Sequence, residues 1–141
     1  MFSTPTSQGS TSRSSTRPSA VRVRRTSTRR ILVSLSSTGR GEANLYNLSS
    51  YLIVEGMRRG MHPKDAGMEA LKRIRANTIE TRLLNARGLP NFNIRFFILD
   101  KKGQQAGVAM YGSGEKTFAL CTEKGAEAPT LDPLLAGDPA D

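Results

Sequence analysis

Residues 37–75 read STGRGEANLYNLSSYLIVEGMRRGMHPKDAGMEALKRIR, and their punctuation divides them into a loop and two helices. Ser49 or Ser50 can cap the first helix, Arg58 and Arg59 fall in its last turn, where the helix dipole favours cations, and Gly60 suits the position just past its end. Leu48, Leu52 and Glu55 or Gly56 fall on one side with Tyr51 adjacent, which gives a broad apolar stripe. The second helix starts at Pro63, a favoured first position, with His62 as its cap, and runs to Arg75. Ala66, Ala70, Leu71 and Ile74 recur along it at helical spacing, while Lys64, Glu69, Lys72 and Arg73 face away. Gly56 and Gly67 each cost roughly 1 kcal/mol relative to alanine inside a helix, which close packing can offset. The expectation is an αα-hairpin.

The loop that opens this stretch, Thr38-Gly39-Arg40-Gly41-Glu42, has two glycines that permit positive φ or close backbone approach, and a hydroxyl beside them. Backbone N–H groups and the Thr38 side chain could converge there on an anionic oxygen. The loop is not a dinucleotide fingerprint, because no third glycine follows at the required spacing.

Downstream the hydrophobic period changes from helical to alternating. Asn93 to Leu99 reads as a strand, Asp100-Lys101-Lys102-Gly103 as a type I turn with a glycine bulge, and Gln105 to Tyr111 as the returning strand. A third strand is expected from Lys116 to Thr122. Ile94, Phe96 and Ile98 face one way and Phe97 and Leu99 the other, so both sheet faces need cover, and two helices supply only one. Between Asn77 and Gly88, Ile79, Leu83 and Leu84 keep a spacing that extends the second helix until Gly88 and Pro90 end it.

Outside these segments the composition shifts. Residues 1–35 form a leader rich in Ser, Thr and Arg that cannot bury enough surface to offset its ordering entropy, apart from a poor short strand at Ile31 to Leu35. Residues 123–141, rich in Pro, Gly, Ala and acids, read as a disordered acidic tail. The folded part, residues 36–122, is thus a small α+β unit of two helices followed by a three-stranded antiparallel meander. The net charge of +9 divides unevenly: Met1 to Arg40 holds eight Arg with no Lys and no acid, leaving 13 basic and 12 acidic residues elsewhere. The leader's composition fits an organellar transit peptide, an RNA-binding arm or an out-of-frame reading. Localisation follows from that choice, cytoplasmic for a bacterial chain and organellar for a eukaryotic one with a transit peptide. Cys121 and His62 are each the only residue of their kind, so no intrachain disulfide forms and no metal site is expected; Cys121 reads as a small buried hydrophobe. The longest apolar run, Phe96 to Leu99, is far too short to span a bilayer as a helix.

The residues that carry a resemblance are Ser37-Thr38-Gly39-Arg40-Gly41-Glu42, then Leu48-Ser49-Ser50-Tyr51, then Val54-Glu55-Gly56-Met57-Arg58-Arg59-Gly60 and Pro63, followed by a hairpin with Ala106-Gly107-Val108-Ala109 in its return strand. In that order, over roughly Ser36 to Thr122, the chain resembles the C-terminal half of the β-subunit of the glycosylasparaginases. These are N-terminal-nucleophile hydrolases, grouped with the plant-type asparaginases and isoaspartyl peptidases. The resemblance implies half of a four-layer αββα sandwich and an amidohydrolase without cofactor. In the family a β-subunit N-terminal threonine attacks the substrate amide with its own amino group as base. On the matching loop it implies that Thr38 and Gly39 hold substrate and stabilise the oxyanion, with Gly41 and Glu42 completing the loop and Glu42 structural.

The family's nucleophile stands in a His-Asp-Thr-x-Gly context, which does not occur in this sequence. The expectation is therefore a fragment inactive alone, whose partners are a complementing α-subunit with the N-terminal part of the β-subunit and a small amide or glycoasparagine substrate. The alternative is a nucleic-acid-binding module with a basic arm gripping phosphates. A nearly neutral domain without strand aromatics in an RNA-binding motif argues against it.

Overall fold

The structure, a computed structural model, describes residues 34–114 and 116–141. The leader reading therefore lies outside the described residues up to position 33, and Ser34 already opens a strand.

Among the described residues ten elements follow in order. They are β1 (Ser34–Gly39), α1 (Gly41–Tyr46), α2 (Ser49–Arg58), α3 (Pro63–Asn77), a 3-10 turn (Thr81–Leu83), β2 (Ile94–Leu99), β3 (Gln105–Tyr111), β4 (Leu120–Thr122), β5 (Gly125–Glu127) and β6 (Asp132–Leu135). The main sheet has the order β1-β2-β3-β6, with β1–β2 and β2–β3 antiparallel and β3–β6 parallel; β4 and β5 form a separate two-stranded hairpin. The class is mixed α+β, and the three-stranded meander is corrected. The strand expected over Lys116 to Thr122 shrinks to β4 and leaves the main sheet, whose third and fourth places go to β3 and β6. β6 falls in the stretch read as a disordered tail. Pro133 hides it from sequence patterning, and it is accommodated because β6 is an edge strand.

The helical hairpin forms much as the sequence dictates. Gly60 sits at φ +99, its N–H donating to Met57 O while Met61 N–H donates to Gly56 O, the paired bonds of a Schellman ending. The His62 imidazole Nδ1 accepts from Lys64 N–H at 3.2 Å and Pro63 occupies the first turn of α3. The start of α2 differs from expectation. Leu48, in the left-handed region at φ 48, takes the cap position, and the buried Ser49 hydroxyl donates back to Asn44 O at 3.4 Å. The buried side of α2 is then Ser49, Ile53 and Gly56, while Leu48 and Tyr51 are exposed. The helix expected beyond Asn77 stops there; Thr78 turns extended, its hydroxyl donating to Ile74 O at 2.7 Å.

α3 lies across the sheet and buries Ala66, Gly67, Ala70, Leu71 and Ile74 against Ile94, Phe96, Ile98, Val108 and Met110. Gly67 sets the approach: a Cβ there would stand 2.7 Å from both Ile98 Cδ1 and Val108 Cγ2. Each large side chain so buried contributes about 1.5–3 kcal/mol of transfer free energy. The β2–β3 turn is the one the sequence specifies, with Gly103 at φ +83 and Asp100 Oδ1 accepting from Lys102 and Gln104 N–H.

The second sheet face, for which no cover was expected within the chain, is partly covered by it, with Phe97 half-buried and Leu99 left 37% exposed. Phe118 and Leu131 lie over it so closely that a Cβ on Gly107 would meet both, and the Phe97 and Phe118 ring centroids are 5.4 Å apart. At its end, Tyr111 is buried, its hydroxyl donating to Pro90 O at 2.7 Å and its ring beneath the Arg87 guanidinium. Arg87 in turn donates to Ala136 O and Asp138 O, which ties the C-terminal stretch to the turn before β2. Cys121 is exposed, not buried, because the β4–β5 hairpin carries no core positions.

Candidate functional site

The loop of Thr38 to Glu42 is divided between two elements. Thr38 and Gly39 finish β1, Gly41 and Glu42 start α1, and Arg40 alone links them. Ser-rich β1 has no intrinsic strand signal; it forms because six residues pair in unbroken antiparallel register with β2, from Ser34 opposite Leu99 to Gly39 opposite Ile94.

Thr38 stands opposite Arg95 on β2, with an exposed side chain whose hydroxyl has no partner among the described residues. It is free to donate to an incoming oxygen. Gly39 has φ +112, and a Cβ built on it would run into the Asn93 carbonyl oxygen and lie 2.9 Å from Ile94 Cα. Only glycine fits there. Gly41 has ordinary φ and nothing within 4 Å of where a Cβ would stand, so its glycine identity serves no close approach. Glu42 is exposed in the first turn of α1 and lines a cleft.

That cleft, about 580 Å³, lies between α1, the end of α3 and the 3-10 turn, and Arg40, Glu42, Tyr46, Asn77, Arg82 and Phe92 are among its walls. The Arg40 guanidinium sits 5.8 Å from the Phe92 ring centroid. Arg82 is bound to Glu80 at 2.6 Å, and that hydrogen bond raises its already high pKa further. Asn47, buried, accepts from Asn77 Nδ2 and donates to Ala43 O, which pins α1 to the end of α3. The loop residues thus separate into two neighbourhoods, Thr38 and Gly39 at the strand end and Glu42 at the cleft, with Thr38 and Gly39 not among the residues that line it. The sequence gives no sign of Arg40, Asn47 or Asn77 as a group, because they converge only through the packing of α1 on α3.

Chemically, the strand end offers one hydroxyl donor beside a tightly fixed backbone. The His62 imidazole is engaged through Nδ1 at the start of α3. Among the described residues no cluster of His, Cys, Asp or Glu could hold a metal ion, and no helix is long and apolar enough to cross a membrane.

No family model matches the chain. Over 76 residues, 54% of its length, the chain is 37% identical to an Arabidopsis thaliana protein named "Probable isoaspartyl peptidase/L-asparaginase 3", and the match spans 18% of that protein. The chain therefore has a distant, partial similarity to a plant isoaspartyl peptidase/L-asparaginase of the N-terminal-nucleophile hydrolase group, and it corresponds to less than a fifth of that protein's length.

Proposed function

We propose that this chain carries the substrate-holding, oxyanion-stabilising part of an amidohydrolase related to the glycosylasparaginases and plant-type asparaginases, without the nucleophile that would make it active alone. The observation that carries the reading is the free, exposed Thr38 hydroxyl at the end of β1, in a chain 37% identical over 76 residues to a protein so named. In an assembled site, Thr38 Oγ donates a hydrogen bond to the carbonyl oxygen of the scissile amide as it becomes tetrahedral, and Gly39 holds that hydroxyl by fixing the strand end against Asn93 and Ile94. The nucleophilic threonine and the groups that hold the substrate's α-substituents come from a complementing polypeptide. With it the sheet becomes half of a four-layer sandwich.

Two measurements test this. The purified chain is expected to release no aspartate from a glycosylated asparagine or an isoaspartyl dipeptide; release at a rate above buffer overturns the absence of a nucleophile. A chimera in which residues of this chain replace the matching 76-residue segment of the Arabidopsis protein is expected to hydrolyse L-asparagine. Thr38→Ala in that chimera then lowers kcat about 10²–10³-fold, the usual cost of one oxyanion donor. A folded, active chimera indifferent to Thr38→Ala refutes the assignment.

A further inference from the structure

The two edges of the main sheet are built differently. β6 is guarded: Pro133 has no N–H to offer, and Asp132 places a charge on the edge, held by Lys64 at 2.8 Å. Among the described residues β1 has no such device. Its residues Ser34-Leu35-Ser36-Ser37-Thr38-Gly39 include no charge and no proline, its register with β2 has no bulge, and Ser36, Ser37, Thr38 and Gly39 are exposed. An unprotected six-residue edge is a template for another strand.

We propose that the occupant is a second copy of this chain, paired antiparallel through β1 about a two-fold axis near Ser36, so that two four-stranded sheets become one. The edge is self-complementary. In this register Ser36 faces its own counterpart and Leu35 faces Ser37 of the second copy, so only small or uncharged side chains meet. The axis keeps both helix layers on one side. There α1 follows β1 after Arg40 and is tied back to it by Asn44 Nδ2 donating to Ser37 Oγ at 2.9 Å. It presents Leu45 and Tyr46, 72% and 86% exposed, with Leu48 and Tyr51 just beyond, and the two apolar corners flank the junction symmetrically. The pairing rests on the edge and stands apart from the reading of Thr38.

Sedimentation equilibrium of the full chain at micromolar concentration is the test. A mass twice the 15.3 kDa of one chain is expected, and Ser36→Lys, which sets two like charges face to face, raises the dimer dissociation constant at least about tenfold with unchanged far-ultraviolet circular dichroism. A second measurement is independent of how well Ser36→Lys folds. In a Cys121→Ser background, Ser36→Cys is expected to form an intermolecular disulfide on mild oxidation. A monomer at every concentration, open-ended aggregates, a dimer indifferent to Ser36→Lys, or no cross-link in the Ser36→Cys variant would each overturn the pairing.

Discussion

Replacing Gly39 by alanine separates what the two glycines of the Thr38–Glu42 loop do. At φ +112 an L residue is strained by about 1–3 kcal/mol. The added Cβ also collides with the Asn93 carbonyl oxygen and stands 2.9 Å from Ile94 Cα. Both obstacles are backbone of β2 and its approach, not the end of a flexible side chain, so relief requires the end of β1 to lift from β2. Overpacking of this kind costs about 1–3 kcal/mol. The sum is at least about 2 kcal/mol out of a total stability of about 5–15 kcal/mol. For a domain of this size that lowers Tm by roughly 8 °C or more. Gly41→Ala is the internal control: no atom lies within 4 Å of the new Cβ and φ is ordinary, so removing a glycine from the first turn of α1 is neutral or stabilises by up to about 1 kcal/mol. Urea denaturation followed by circular dichroism gives both differences, and hydrogen exchange should show the amides of β1 opening first in Gly39→Ala. If the two substitutions cost the same, or Gly39→Ala costs under about 0.5 kcal/mol, the close approach of β1 to Asn93 is wrong.

Other outcomes follow from single contacts. The Glu55 carboxyl is held at about 2, first by the hydrogen bond from Arg58 and then by Arg59, against an ordinary value of 4.5. A depressed folded-state pKa contributes stability that is present above 4.5 and lost as the pH falls toward 2, so Glu55→Gln should lower stability at neutral pH, flatten the acid limb of a stability–pH curve in that window and converge with the wild type near pH 2. Tyr111→Phe removes the donor to the buried Pro90 carbonyl and is expected to cost about 1–3 kcal/mol in urea denaturation; the wild-type phenol, pushed up by burial, should titrate above 10 by absorbance. Arg87→Ala removes the donors to Ala136 O and Asp138 O, and limited proteolysis should then cut residues 136–141 sooner, with a global change within about 1 kcal/mol.

The parts legible in sequence are those whose signals are local. Gly60, Pro63 and the apolar spacing of Ala66 to Ile74 define α2 and α3, and the Asp100–Gly103 turn fixes the β2–β3 register, because each depends on residues a few positions apart. The parts that escaped depend on distant partners. β1 is a run of serines made into a strand by β2, far later in the chain; α1 is six residues without a side-chain cap; β6 carries a proline and finds its place beside β3 only across the β4–β5 excursion. The partial cover of the second face by Phe118 and Leu131 was missed for the same reason. At the candidate site, the sequence points to Thr38 and Gly39 through the resemblance. It does not reveal that Gly39 is needed for backbone approach, that Gly41 is not, or that Glu42 lines a cleft that Thr38 and Gly39 do not.

The parallel pairing of β6 with β3 also has a consequence for synthesis. A ribosome delivers the chain from its N-terminus, and β1, β2 and β3 can zip together as soon as Tyr111 is free. β3 then waits with one side open while the β4–β5 hairpin is made, until Asp132–Leu135 emerge to close it. A ribosome that pauses within the hairpin holds out a nascent sheet whose last strand, with its apolar Val108, Ala109, Met110 and Tyr111, lacks the neighbour that covers its edge. The excursion through β4 and β5 therefore sets the interval during which the growing chain is most open to capture by another strand, and faster translation of that hairpin shortens it.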